Sequence, residues 1–226
     1  MRRICGPMGV AILLGVCTGW ARADMQQITV AIPGTSIPSE GYHGLLAIAQ
    51  FAPAQGEYLT QIDFELAIDF AGMMGFENLN PSLSTFFKLE LTWLLEVDLP
   101  AGEEREGPLL DMSATRGVVG LAGPFDGAVD FAGPSGRTYA VAANGVAAFA
   151  TTADASDLAA FTGNGVVELP IAGWFEGFAQ AQTDHESDFW DVGFAGELTV
   201  TYTYVPEPAG LALLLIGPLL LWRFRR

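Results

Sequence analysis

The residues best placed to do chemistry are oxygen donors. Asp184, Glu186, Asp188 and Asp191 fall within eight positions, and Asp126-Gly127 with Asp130 makes a second carboxylate-rich turn. Carboxylates and loop carbonyls are what a hard cation such as calcium takes, six to eight oxygens at a time. Neither stretch has EF-hand spacing, so calcium is the candidate ligand and a solvated acidic loop the plainer alternative. His43 and His185 are the only histidines, which excludes a site built on several imidazoles. A hydrolytic reading would need a base beside a nucleophile, and His185 has no identifiable one. Two carboxylates would suffice for a glycosidase, but in a chain this acidic no single pair, Asp126 and Asp130 included, stands out. The sequence therefore offers no catalytic residue and is expected not to be an enzyme. Trp174, Phe175, Phe178 and Trp190 could stack against sugar rings, or equally fill a core.

Charge narrows the partners. All 26 acidic residues lie between Asp24 and Glu207, where Lys88, Arg105, Arg116 and Arg137 alone oppose them. Four cations against 26 acids leave −22 on that segment, compared with −16 for the whole chain. Such a surface repels phosphate backbones, so no nucleic-acid partner is expected. It attracts cations and keeps a secreted domain soluble.

The elements that must position these groups are strands. In residues 61–70, Ile62, Phe64, Leu66, Ile68 and Phe70 alternate with polar residues. In residues 88–99, Leu89, Leu91, Trp93, Leu95, Val97 and Leu99 do the same. A third alternation covers residues 197–204. Period two over this length marks a half-buried strand. Shorter candidates are residues 27–32, 45–51, 166–172 and 174–183. Residues 139–143 and 146–152 flank Asn144-Gly145, the dipeptide favoured in tight hairpins. Residues 100–108 read as a charged loop, and 156–161 as one helical turn capped by Ser156. Nine or ten strands on one core predict an all-β fold, a single antiparallel sandwich of jelly-roll type over residues 24–205.

The two ends read differently from this body. Arg2 and Arg3 precede an uncharged run, and Ala21-Arg22-Ala23 has the form of a signal-peptidase site, so residues 1–23 are expected to be a signal peptide cut before Asp24. Leu14-Gly15-Val16-Cys17 is a poor lipoprotein box. Both cysteines, Cys5 and Cys17, lie in this leader, so the mature domain must be held by its core without disulfides. At the other end, Pro206 and Pro208 hold the chain extended. The stretch from Ala209 to Trp222 then carries no charge, and Arg223, Arg225 and Arg226 close the chain. At ~1.5 Å per residue such a helix falls short of a ~30 Å hydrocarbon core. Snorkelling of Arg223 and interfacial placement of Trp222 recover part of the deficit. The basic end is expected to stay cytoplasmic, leaving the domain outside.

Val205-Pro206-Glu207-Pro208, the apolar helix and the terminal arginines together resemble the PEP-CTERM sorting tail of exported bacterial proteins. The resemblance implies recognition of residues 206–208 by an exosortase, a membrane-embedded cysteine transpeptidase. A second resemblance runs through the body: residues 51–59, Glu77-Asn78, residues 125–136 and 157–165, and the final Thr-Val-Thr-Tyr-Thr-Tyr strand are similar to the choice-of-anchor E domain. That family implies architecture and location but no activity. The expectation is a protein exported by way of signal peptidase and exosortase. Its C-terminal helix (residues 206–226 forming the tail) anchors it in the membrane before processing. It then resides at the cell surface or in the extracellular matrix, with a structural or adhesive role and exopolysaccharide as a partner. The alternative is a calcium- or carbohydrate-binding module, with a secreted hydrolase further behind.

Overall fold

The computed structural model describes residues 23–100, 107–182 and 186–206. Eight strands and one short helix account for them: β1 (Asp24–Ser36), β2 (Tyr42–Ala49), β3 (Glu57–Asn78), β4 (Thr85–Val97), β5 (Leu110–Ala122), β6 (Gly136–Thr152), α1 (Ala155–Ala160), β7 (Val166–Ala181) and β8 (Glu186–Pro206). Two four-stranded sheets form, ordered β1-β8-β3-β6 and β2-β7-β4-β5. Strand β1 pairs with β8, β2 with β7, β3 with β6 and β4 with β5, all antiparallel. The ladders β3·β8 and β4·β7 complete the sheets. This nested pairing is a long antiparallel ribbon rolled on itself, the jelly-roll arrangement expected from the alternation.

The alternating positions become the core. Ile62, Phe64, Leu66, Ile68 and Phe70 of β3 face Leu89, Leu91, Trp93, Leu95 and Val97 of β4, and all are buried. Trp93 stacks on Phe70 with centroids 5.7 Å apart, and Phe87 on Phe76 at 4.2 Å. Tyr202 is fully buried; its hydroxyl donates to the Ala49 carbonyl at 2.8 Å, and burial pushes the phenol up to about 12.

Four expectations need correction. Asn144-Gly145 is no hairpin turn, because β6 runs straight through it. Ile68 pairs with Val146 and Phe70 with Ala143, so two residues oppose Asp69 alone. That is a β-bulge: Gly145 takes φ +65° and donates its N–H to the Asp69 carboxylate at 2.7 Å. The candidates 166–172 and 174–183 give one strand, β7, that ends at Ala181, since Gly173 pairs with Leu95 and Tyr42 without turning the chain. Strand β5 was not anticipated: Gly117, Gly120 and Arg116 blur its alternation, and as an edge strand it buries little beyond Leu110, Met112 and Ala122. Helix α1 starts at Ala155 with Asp154 at its cap and no side-chain capping bond, so Ser156 lies inside the first turn. Buried Asp157 ties the helix down instead, accepting the Thr152 hydroxyl.

Candidate functional site

The pleat separates the carboxylates that lie close in sequence. Successive side chains of β8 point to opposite sides of the sheet, so Glu186 and Asp188 share one face and Asp191 lies on the other. Asp188 accepts the Trp190 indole N–H at 2.6 Å, and Asp191 is exposed. Asp184 lies outside the described residues, as does His185. Asp126 and Asp130 close their own turns, accepting the N–H groups of Ala128 at 3.2 Å and Ala132 at 3.0 Å. The loop they belong to folds over the end of the β1-β8-β3-β6 sheet, where fully buried Glu77 accepts the Phe131 N–H at 2.8 Å. The other Glu77 oxygen has no hydrogen-bond partner there, but no second and third acid gather round it. Among the described residues, no group of three or more His, Cys, Asp or Glu is arranged to hold a metal ion.

The four aromatics are divided as well. Trp174 and Phe178 lie on the outer face of the β2-β7-β4-β5 sheet, whereas Phe175 and Trp190 turn inward. Trp190 lies against Gly177, where a Cβ would come within 2.4 Å of its ring. They make no single platform. His43 is exposed on the outer face of β2, opposite Ala172.

The flanking signals are partly visible. Strand β1 begins at Asp24, paired with Tyr204, and Ala23 before it is exposed. Strand β8 continues past the expected boundary of 205. Val205 pairs with Tyr58 and Pro206 with Glu57, so the first proline of the tail ends a strand instead of standing clear of it. Residues Ala21, Glu207, Pro208, Arg223, Arg225 and Arg226 and the apolar C-terminal segment lie outside the described residues. Among the described residues no helix is long and apolar enough to cross a membrane.

One feature escaped the sequence. On the outer face of the β2-β7-β4-β5 sheet, Phe86 pairs with Leu121, Lys88 with Val119 and Gln180, and Glu90 with Phe178 and Gly117. Together with Gln182 these strands border a surface groove of about 570 Å³. Phe86, Val119 and Leu121 of its lining are strongly exposed, at 60 %, 76 % and 50 %, and Phe178, 50 % exposed, stands outside the groove beyond Lys88. Lys88 reaches Glu90 at 2.6 Å, and its ammonium stands 5.9 Å from the Phe178 ring centroid. The residues come from three strands, and each looks unremarkable in its own. The signal that could have found them was the apolar residues at outward positions of β4 and β7.

No protein-family model matches the chain, and no match was found among curated proteins. Similar solved structures include that of infectious bursal disease virus Gx strain, at 12 % identity and a TM-score of 0.18, covering 84 % of this chain and 42 % of that one. Another is the infectious bursal disease virus VP2 subviral particle, at 12 % identity and a TM-score of 0.23, covering 90 % and 42 % respectively. The chain thus spans less than half the length of either, and likeness at these scores carries no argument.

Proposed function

We propose that this chain is an exported protein whose β-sandwich is displayed at a cell surface or in an exopolysaccharide matrix, in a structural or adhesive role. An exosortase reads its C-terminal tail, and a membrane helix holds the protein until then. The observation that carries this reading is where the flanking stretches leave the domain. Asp24 pairs with Tyr204, and Pro206 with Glu57, so the first and last strand residues described lie side by side at one end of the sandwich. Cleavage after Ala23 removes the leader without cutting a strand. Support also comes from the charge of −22, which suits an exposed secreted surface.

The test separates sorting from folding. Because Pro206 belongs to β8, the variant should spare it: Glu207→Ala with Pro208→Ala, compared with the unaltered chain in the native host. The unaltered protein should begin at Asp24, lack its tail and reach the surface; the double variant should stay in the membrane with its tail intact. Equal tail removal and equal surface delivery for the two would overturn the sorting reading.

A ligand-binding module is the second reading, and the observations treat its two ligands unequally. Of the described calcium candidates, Asp191 faces away from Glu186 and Asp188, and Asp126 and Asp130 accept N–H groups of their own turns. The groove beside Phe86 is assembled.

A further inference from the structure

We propose that the groove beside Phe86 on the outer face of the β2-β7-β4-β5 sheet, continued past Lys88 to the exposed ring of Phe178, binds a neutral oligosaccharide. An exposed apolar cluster costs solubility and contributes nothing to the core, so one concentrated in a groove points to a partner. Phe87, next in sequence to Phe86, supplies the core contact here, leaving the Phe86 ring free.

The groups at hand match a sugar better than other occupants. A pyranose has apolar C–H faces, suited to the electron-rich faces of Phe86 and Phe178, and a rim of hydroxyls that both donate and accept. Gln180 and Gln182 offer amides that do both, Glu90 accepts and Lys88 donates. This mixture, mostly apolar with a few polar groups, is that of small-ligand sites, and about 570 Å³ is within their usual size. Phe86 and Phe178 lie at levels four residues apart along β4, since Phe178 pairs with Glu90. At ~3.3 Å per residue that is roughly 13 Å, too long for one sugar ring and suited to several linked ones.

Charge argues for neutrality. A second copy of the domain, with 25 acids against four cations in residues 24–205, would bring −21 against −21, and a polyanionic glycan meets the same repulsion. A cationic peptide would meet Lys88, one of those four cations, in the lining of the groove. A neutral glycan has neither difficulty. Binding by the sandwich and processing of the tail are separable: a glycan binder with an unread tail fails only the sorting experiment.

The test uses the full chain, purified in a sugar-free detergent, titrated calorimetrically with cellohexaose, mannohexaose, xylohexaose and chitohexaose, and with hexagalacturonate as the acidic comparison. At least one neutral hexasaccharide should bind, and more tightly than hexagalacturonate. Phe86→Ala, Phe178→Ala and Gln180→Ala should each weaken that binding by roughly tenfold, the loss of one stacking or hydrogen-bonding contact. Their melting temperatures should stay unchanged, because all three side chains are exposed. Phe149→Ala, equally exposed on the other sheet, should bind as the unaltered chain does. Failure of every neutral hexasaccharide to bind would overturn the proposal. So would full binding in the Phe86 and Phe178 variants, stronger binding of hexagalacturonate, or a loss confined to Phe149→Ala.

Discussion

The two ends of the β4–β5 ladder carry the same fold and opposite surfaces. At one end the outward pairs are Phe86 with Leu121 and Lys88 with Val119; at the other, Glu96 lies directly across from Asp111, with Asp98 close by. Between them Thr92 and Thr115 meet hydroxyl to hydroxyl at 2.9 Å. Beneath both ends the inward residues from Phe87 to Val97 are uniformly buried hydrophobics. Like charges facing each other across a ladder destabilise it, so folding asks for neither an acidic end nor an apolar one. Burial, then the neighbouring charges of Asp98 and Asp111, raise the Glu96 carboxyl above its ordinary range. Core requirements fix one face of these strands and leave the other free to carry function.

Five substitutions would break or sharpen that contrast. Trp93→Ala strikes the shared inner face, and chemical denaturation should show a loss of about 3–5 kcal/mol. A loss below about 1 kcal/mol would mean that β4 had been assigned the wrong inward face. Next comes a neighbouring pair: Phe87→Ala should cost about 3 kcal/mol, and Phe86→Ala no more than about 0.5. Equal losses would erase the distinction between the two faces. Asp111→Lys, which turns a like-charge pair into an opposite one, should raise stability by roughly 0.2–1 kcal/mol at low salt. Glu96→Gln should give the smallest gain. A carboxyl whose folded pKa lies above its unfolded one contributes stability at low pH and loses it as pH rises through the folded value. The variant should therefore be slightly more stable than the unaltered chain near pH 7, and the difference should fade as pH falls below the ordinary glutamate range. A difference that grew on acidification would reverse the sign argued here.

The same contrast explains what the sequence disclosed. Strand β4 and parts of β3 and β8 could be read directly because central strands bury one face, and apolar residues recur at every second position in residues 61–70, 88–99 and 197–204. Strand β5 has one partner and a half-exposed inner side, so Ala114, Arg116 and Gly120 satisfy it and period two fades. Asn144-Gly145 misled because a positive φ serves a bulge as well as a turn. The choice between them depends on Asp69, far away in sequence. Of the calcium candidates, Asp184 lies outside the described residues, and the pleat that makes β8 alternate sets Asp191 on the face opposite Glu186 and Asp188. The groove failed to register for the converse reason. Phe86, Val119 and Phe178 are distant in sequence and meet only through pairings of β4 with β5 and β7.

Strand β8 is 21 residues long and lies between β1 and β3, hydrogen-bonded on both sides, with the chain leaving it at Pro206. Ladder bonds in an antiparallel sheet run perpendicular to the strands, so tension applied at Pro206 along β8, with the opposite end of the sandwich held, loads two rows of bonds sideways and together. Nothing peels from the end. Such a body, hung from its last strand, should yield in one abrupt event at high force. A single-molecule pulling trace from the C-terminal side with a gradual, stepwise extension would contradict this. The feature that completes the roll is thus also its mechanical clamp, set where an anchored domain would be pulled.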